Sequence, residues 1–461
     1  MIRRTMGTND KSVQLKVYLD KKKKKVKFAV ADEDFVEILF SFFTLPLGTI
    51  AKLSRKYSNN DIKVGSLTSL YGSVVDLNLQ HFSSKKCKDG LVNPRNSSLS
   101  HCKKLKVNLD ETNPMDDNVA TDDVVFLKNK GNFIITDDLN VKPFMLDKSI
   151  QLLTSLGVES INCLEERKMR FGLEEFSNLL LWSLSTNNPL TNLVLGGNKK
   201  PWTSPSCLTN STLIDITSAN LVSSNSGKMT QPMKLLVHKA KKKVLCAQVE
   251  HPFVELLFSF LTIPLGSFVR LTKEIDDDSS PVQVGIINLY NSISCLADEN
   301  HLESEDVKAM LLCPKIANSY RRVTEFLPIY EVNKDAGRFL KEHARIFIVS
   351  DDLEVTISQS IDIISKFNTL GVHVADMEVL DVTIGEQEAL LLLKASLSST
   401  SALTDCFDPF RKKPKDHVPN IAFAEDGGSD SGEEVDYSGD EVGFTLEDED
   451  DIDGSFVIID L

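Results

Sequence analysis

Two runs of alternating apolar and polar residues, Leu15-Lys16-Val17-Tyr18-Leu19 and Val26-Lys27-Phe28-Ala29-Val30, flank five consecutive lysines, Lys21 to Lys25. A period of two marks a half-buried strand, so this segment predicts a β-hairpin with a solvated lysine tip. The period then changes. Phe35, Leu39 and Phe42 recur at helical spacing with Glu37 and Ser41 off the stripe, which predicts an amphipathic helix. It should stop before Pro46, because the residue ahead of a proline is pushed out of the helical region. Pro46-Leu47-Gly48-Thr49 then reads as a turn that either redirects the chain or offers backbone amides to an anion. Farther on, the strand-like run from Phe133 ends in Asp137-Asp138-Leu139, followed by amphipathic segments Ser149 to Leu156 and Glu174 to Leu184.

The same pattern occurs twice. Phe35 to Leu53 and Phe253 to Leu271 are identical at 12 of 19 positions at an offset of 218 without a gap, which establishes an internal duplication. Leu15 to Val30 matches Met233 to Gln248, and Val64-Gly65 and Val284-Gly285 lead into Leu70-Tyr71 and Leu289-Tyr290. Phe133 to Leu139 matches Phe347 to Leu353, and Leu156-Gly157-Val158 matches Leu370-Gly371-Val372. The second copy has its own basic turn, Lys239 and Lys241 to Lys243, its own turn glycine, Gly266, and its own amphipathic segments, Ser360 to Phe367 and Glu386 to Leu397. The fold class expected is α+β (or α/β), in two tandem homologous domains that each open with a hairpin followed by helices. The boundaries expected are 13–197 for the first repeat, 198–232 for a Ser, Thr, Asn and Pro-rich linker, 233–410 for the second repeat and 411–461 for an acidic tail. The polar stretch 83–131 reads as a long loop inside the first copy.

Charge separates the tail from the rest. Of 66 acidic residues, 15 fall after Asn420, where there is no Lys or Arg, so the remainder balances 52 basic against 51 acidic groups. A near-neutral body argues against a nucleic-acid binder, which would carry a basic face. The tail has too little apolar area to offset its ordering entropy and is expected to be disordered. No apolar run is long enough to span a bilayer, and Met1 to Gly7, with no apolar run after it, is not expected to be a secretory signal. A soluble cytoplasmic protein with reduced thiols is expected, with its sequons at Asn96 and Asn210 unglycosylated. Lys412-Lys413-Pro414-Lys415 fits either a solvated linker or a nuclear-import motif.

The candidate chemistry is sparse. The eight cysteines show no Cys-x-x-Cys pair, and adjacent His101 and Cys102, near His81 and Cys87, are poorly placed to share one tetrahedral ion, so no metal and no cofactor are expected. The duplicated pairs Asp137, Asp138 and Asp351, Asp352 suit a ligand or acid–base site, or equally a turn or helix cap. There is no nucleophile elbow, phosphate-binding loop, dinucleotide fingerprint or zinc-peptidase motif, which favours a non-enzymatic chain. In the tail, Ser431 and Ser438 each precede a Glu by three positions, as acidophilic kinases require, and a phosphate there would add to the negative field. Phe456 and Ile459 stand in the aromatic-x-x-aliphatic spacing that ubiquitin-like autophagy modifiers read as an added strand, with acidic residues ahead of them.

Leu15 through Leu53 with its Leu-Pro-Leu-Gly-Thr turn, Val64-Gly65-Ser66-Leu67, and Asn93-Pro94-Arg95-Asn96-Ser97 together resemble a plant family known as domain of unknown function 674. The second copy repeats these landmarks, so the resemblance covers about residues 13 to 410. It implies two homologous modules and no assigned activity. It also implies a cysteine-rich insert after the segment matching Cys102, yet Lys103 to Asn162 holds no cysteine, so any zinc site there is lost. The sequence favours an interaction or adaptor protein with an unknown protein partner. A small-molecule binder or enzyme using the Asp pairs is the alternative, and an autophagy adaptor is the sharper form of the first reading.

Overall fold

The computed structural model describes residues 11–57, 63–110, 125–128, 130–158, 160–196, 230–273, 284–317, 326–328, 338–341, 346–357, 360–369 and 371–407. Nearly all of the expected linker and tail thus lie outside the described residues. Each copy builds one five-stranded antiparallel sheet. In the first, β1 (Val13–Asp20) and β2 (Lys25–Ala31) form the hairpin, β3 (Phe133–Thr136) and β4 (Val141–Pro143) extend it, and β5 (Leu164–Phe171) returns to β1, giving the order β4-β3-β2-β1-β5. The second repeats this with β6 (Gln231–His238), β7 (Lys243–Val249), β8 (Phe347–Ser350), β9 (Val355–Thr356) and β10 (Met377–Ile384). Even the irregularity is duplicated, with register shifts between Tyr18 and Leu19 and between Leu236 and Val237. The antiparallel pairing makes the fold α+β.

Helices in the first copy are α1 (Glu33–Ser41), α2 (Leu47–Tyr57), α3 (Leu67–Asp76), α4 (Lys85–Val92), α5 (Leu99–Cys102), α6 (Leu146–Ser155), α7 (Leu173–Ser185) and α8 (Pro189–Leu195). Those in the second are α9 (His251–Phe260), α10 (Leu265–Lys273), α11 (Val284–Asp298), α12 (Glu305–Leu312), α13 (Ser360–Thr369), α14 (Glu386–Ser398) and α15 (Ala402–Phe407). The hairpin alternates as its sequence predicts, with Leu15, Val17 and Leu19 buried and Lys16 exposed. α1 is capped by Asp32, whose side chain accepts from the Phe35 amide. It gives way to a 3-10 turn at Phe42–Thr44 ahead of Pro46. The stretch 83–131 is not simply a loop. Ser84 caps α4 by accepting from the Cys87 amide, and because Leu91 is the one buried residue in that helix, its apolar stripe is nearly invisible in sequence.

The two copies share one hydrophobic cluster and belong to one compact unit. Their repeated turns hydrogen-bond to each other about a local twofold: the Leu47 amide donates to Ile263 (2.9 Å) and the Leu265 amide to Leu45 (2.9 Å), with Pro46 facing Pro264. The Gly48 amide donates to Leu261 at 2.8 Å. These amides are therefore committed to backbone carbonyls of the other copy, which favours the redirecting turn over the alternative of an anion site. A Cβ on Gly48 would stand 2.9 Å from the Leu261 oxygen, so the close approach requires glycine.

Two further reciprocal bridges, Phe82 with Leu340 and Leu127 with Leu302, tie the copies together. Each is anchored by the same repeated acid. Glu37 Oε1 accepts from the amides of Val125, Phe126 and Leu127 at 2.6, 2.7 and 3.0 Å. Glu255 accepts from Phe339 at 3.1 Å and Leu340 at 2.5 Å. Burial pushes the Glu37 carboxyl up, against the pull of its three amide donors.

Gly65 sits at φ +49° with a virtual Cβ 2.6 Å from the Ser396 carbonyl of the other copy, whereas its counterpart Gly285 has 3.2 Å to the Ser183 carbonyl and no left-handed φ. Gly65→Ala should therefore cost about 2–4 kcal/mol in denaturant unfolding and Gly285→Ala less than about half of that.

Candidate functional site

The Asp pairs end β3 and β8 in tight turns whose third residues, Leu139 (φ 61°) and Leu353 (φ 62°), are left-handed. Thr136 and Ser350 hydroxyls close these turns on Asp138 and Asp352. The first Asp of each pair is buried and faces its own copy. Asp137 accepts from the Thr191 amide at 2.7 Å and its hydroxyl at 2.8 Å, while the Thr191 oxygen accepts from the Val26 amide at 2.9 Å. Asp351 accepts from the Thr404 amide at 2.8 Å, and Thr404 takes the Val244 amide at 2.9 Å. Thr191 and Thr404 lie in the first turns of α8 and α15, so each carboxylate sits where the helix amides lack intrahelical partners. Lys25 and Lys243 approach the two carboxylates at 3.7 and 3.3 Å. Burial pushes both carboxyls up, opposed by these donors.

The second Asp of each pair faces the other copy. Asp138 accepts from Asn288 of α11 at 3.0 Å, and Asp352 from Ser69 of α3 at 2.8 Å. One turn farther along the same helices, Ser292 accepts from the Val141 amide at 2.9 Å and Ser73 from the Val355 amide at 2.8 Å. The Asp pairs thus join three elements in each half: the hairpin, the last helix of the same copy and a helix of the other copy. The two pairs lie in separate sheets and do not assemble into one constellation.

The other sequence candidates are dispersed. Cys102 is buried beside the Thr44 hydroxyl (3.4 Å) and Asn96 (3.7 Å), and burial pushes its thiol up to about 11. Cys87 lies against Ser83, Ser84 and the Arg338 carbonyl instead. Among the described residues no three His, Cys, Asp or Glu side chains gather as metal ligands, and no helix is long and apolar enough to cross a membrane. Phe456, Ile459, Ser431 and Ser438 lie outside the described residues.

Two features escaped sequence reasoning. One is the Glu37/Glu255 anchor, whose only signal was an acid kept in both copies within otherwise apolar segments. The other is a cleft at the hairpin tip of the second copy, lined by His238, Lys241, Lys243, Leu245, Asp351 and Phe367 among others.

The model of the protein family of unknown function DUF674 matches residues 9–117, 115–273, 227–324 and 325–434 in four overlapping segments. The chain belongs to DUF674. The repeated matches follow from the duplication, and the DUF674 landmarks fall on the structural joints: the Leu-Pro-Leu-Gly turn on the twofold and Val64-Gly65 on the contact with α14. Among characterised proteins none is significantly similar to this DUF674 chain, and neither is any solved structure.

Replacing Thr191 by Val leaves a buried carboxylate and the Val26 amide short of partners in one stroke, and replacing Thr404 by Val leaves the Val244 amide short of its acceptor. Each change should lower unfolding free energy by about 2–3 kcal/mol, with Thr→Ser restoring most of it, as read from denaturant melts.

Proposed function

We propose that this DUF674 chain is a non-enzymatic interaction module whose double sheet receives an extended segment of a protein partner. The observation that carries the reading is the pair of outer strands. β5 and β10 are each eight residues long and, among the described residues, pair on one side only, β5 with β1 and β10 with β6. An unpaired strand edge is a row of backbone donors and acceptors, and adding a strand there is a standard mode of peptide recognition. The Asp carboxylates, by contrast, accept hydrogen bonds from the protein itself, which leaves them poorly suited to act on a substrate. β10 is the better edge for docking: it exposes an apolar residue, Val379 (57%), beside two charges, Glu378 and Asp381, whereas β5 exposes four, Glu166, Arg167, Lys168 and Arg170, and charges guard an edge against pairing.

The acidic tail supplies a second recognition element in this reading. Its Phe456-x-x-Ile459 spacing, after an acidic run, supports an adaptor that a ubiquitin-like autophagy modifier engages.

Successive strand amides point to opposite edges, so of Val379→Pro and Leu380→Pro one removes an outward N–H and keeps the fold, while the other breaks the ladder to β6. In affinity capture with the full chain, the folded variant should lose the partners bound by the wild-type sheet. Ending the chain at Asn420, or changing both Phe456 and Ile459 to Ala, should remove those bound by the tail. Partners that survive all these changes would refute the proposed surfaces.

A further inference from the structure

Near the tip of the second hairpin, the outer face of the sheet and the C-terminal part of α13 leave a cleft of about 370 Å³, within the size range of small-ligand sites. Its counterpart in the first copy is occupied by that copy's own side chains. There Lys27 Nζ reaches the Leu156 carbonyl at the end of α6 (2.8 Å), and Asp20 accepts from the turn amides of Lys22 (2.9 Å) and Lys23 (3.0 Å). In the second copy the matching positions are Leu245 and His238. The cationic arm is gone, the acid has become an imidazole, and the space between sheet and helix is walled by Leu245, Phe367 and Val372.

Two of the polar groups facing this space are carboxylates, and the protein's own groups engage both, Asp351 Oδ2 through its ion pair with Lys243 at 3.3 Å. Asp351 is matched by Thr404 and Lys243, and Asp352 by Ser350 and Ser69. His238 is 6% exposed, and its Nδ1 accepts from the Lys241 amide at 3.4 Å, which assigns the proton to Nε2. The Lys241 ammonium has no carboxylate partner among the described residues. Two donors therefore remain beside an apolar wall, and the ligand must bring the acceptor.

We infer that this cleft binds a small organic monoanion, its carboxylate on Lys241 and His238 and its apolar body against Leu245 and Phe367. This site belongs to the second copy alone and does not depend on the adaptor reading.

The test is ligand-observed NMR titration of the full chain with benzoate, phenylacetate and hexanoate, and with phenylmethanol as the neutral control. At least one acid should bind with Kd below about 1 mM and phenylmethanol at least about tenfold more weakly. Leu245→Lys and His238→Asp install residues that the first copy carries at the same positions, so both should keep the thermal melt while abolishing binding. Lys241→Gln, on the exposed tip, should weaken it about tenfold. No binding by any of the three acids, equal binding of the alcohol, or unchanged affinity in folded Leu245→Lys and His238→Asp chains would overturn the assignment.

Discussion

Proline has no N–H to give, and in this chain two prolines face each other where two copies of one sequence meet. Pro46 and Pro264 oppose one another because their neighbours supply the hydrogen bonds, Leu47 to Ile263 and Leu265 to Leu45, in a reciprocal pair. That pair fixes the local twofold on which the remaining contacts depend. With it in place, α3 lies over the turn after β8 and α11 over the turn after β3, so that Ser69 and Asn288 reach the carboxylates of the opposite copy. Each half is completed by a helix from the other.

The buried acids follow from this geometry. A carboxylate taken out of water is costly unless its oxygens are matched. Glu37 and Asp137 each meet several backbone or hydroxyl donors, and Glu255 and Asp351 meet fewer at the corresponding places. The acids replace missing partners at places where backbone cannot pair with backbone, namely a helix start and the crossing segments between copies. The copies differ in the core, as Phe43 against Leu261 and Ile50 against Phe268, and on the outer face of the sheet. Asp20 and Lys27 against His238 and Leu245 change the outer face while leaving the joints intact.

Much of this was legible in the sequence. The hairpins, the first helices and the amphipathic segments announce themselves by period, and the duplication by identity. The merging of the copies was not, because periodicity reports that a face is buried and not what buries it. One hint was present: from Ile38 to Ala51 no charge interrupts the apolar run, which is more apolar surface than a single sheet can cover. The Asp pairs were visible, but their partners were not, since Thr191 lies 54 residues from Asp137 and Asn288 lies 150 residues from Asp138. Glu37 stood off the stripe of α1, the position that ordinarily faces water, and only its bonds to the amides of Val125, Phe126 and Leu127, 88 to 90 residues on, explain its burial. The helix α4 was hidden by its single buried residue.

Native-state hydrogen exchange read by mass spectrometry tests the interlock most directly. Peptides from β2 and β7 lie at corresponding places in the two sheets. If the copies form one cooperative body, both should exchange through the same global opening, with equal free energies and equal denaturant dependence. Exchange of one strand through a smaller opening while the other stays protected would mean that the copies fold separately, and would contradict the account.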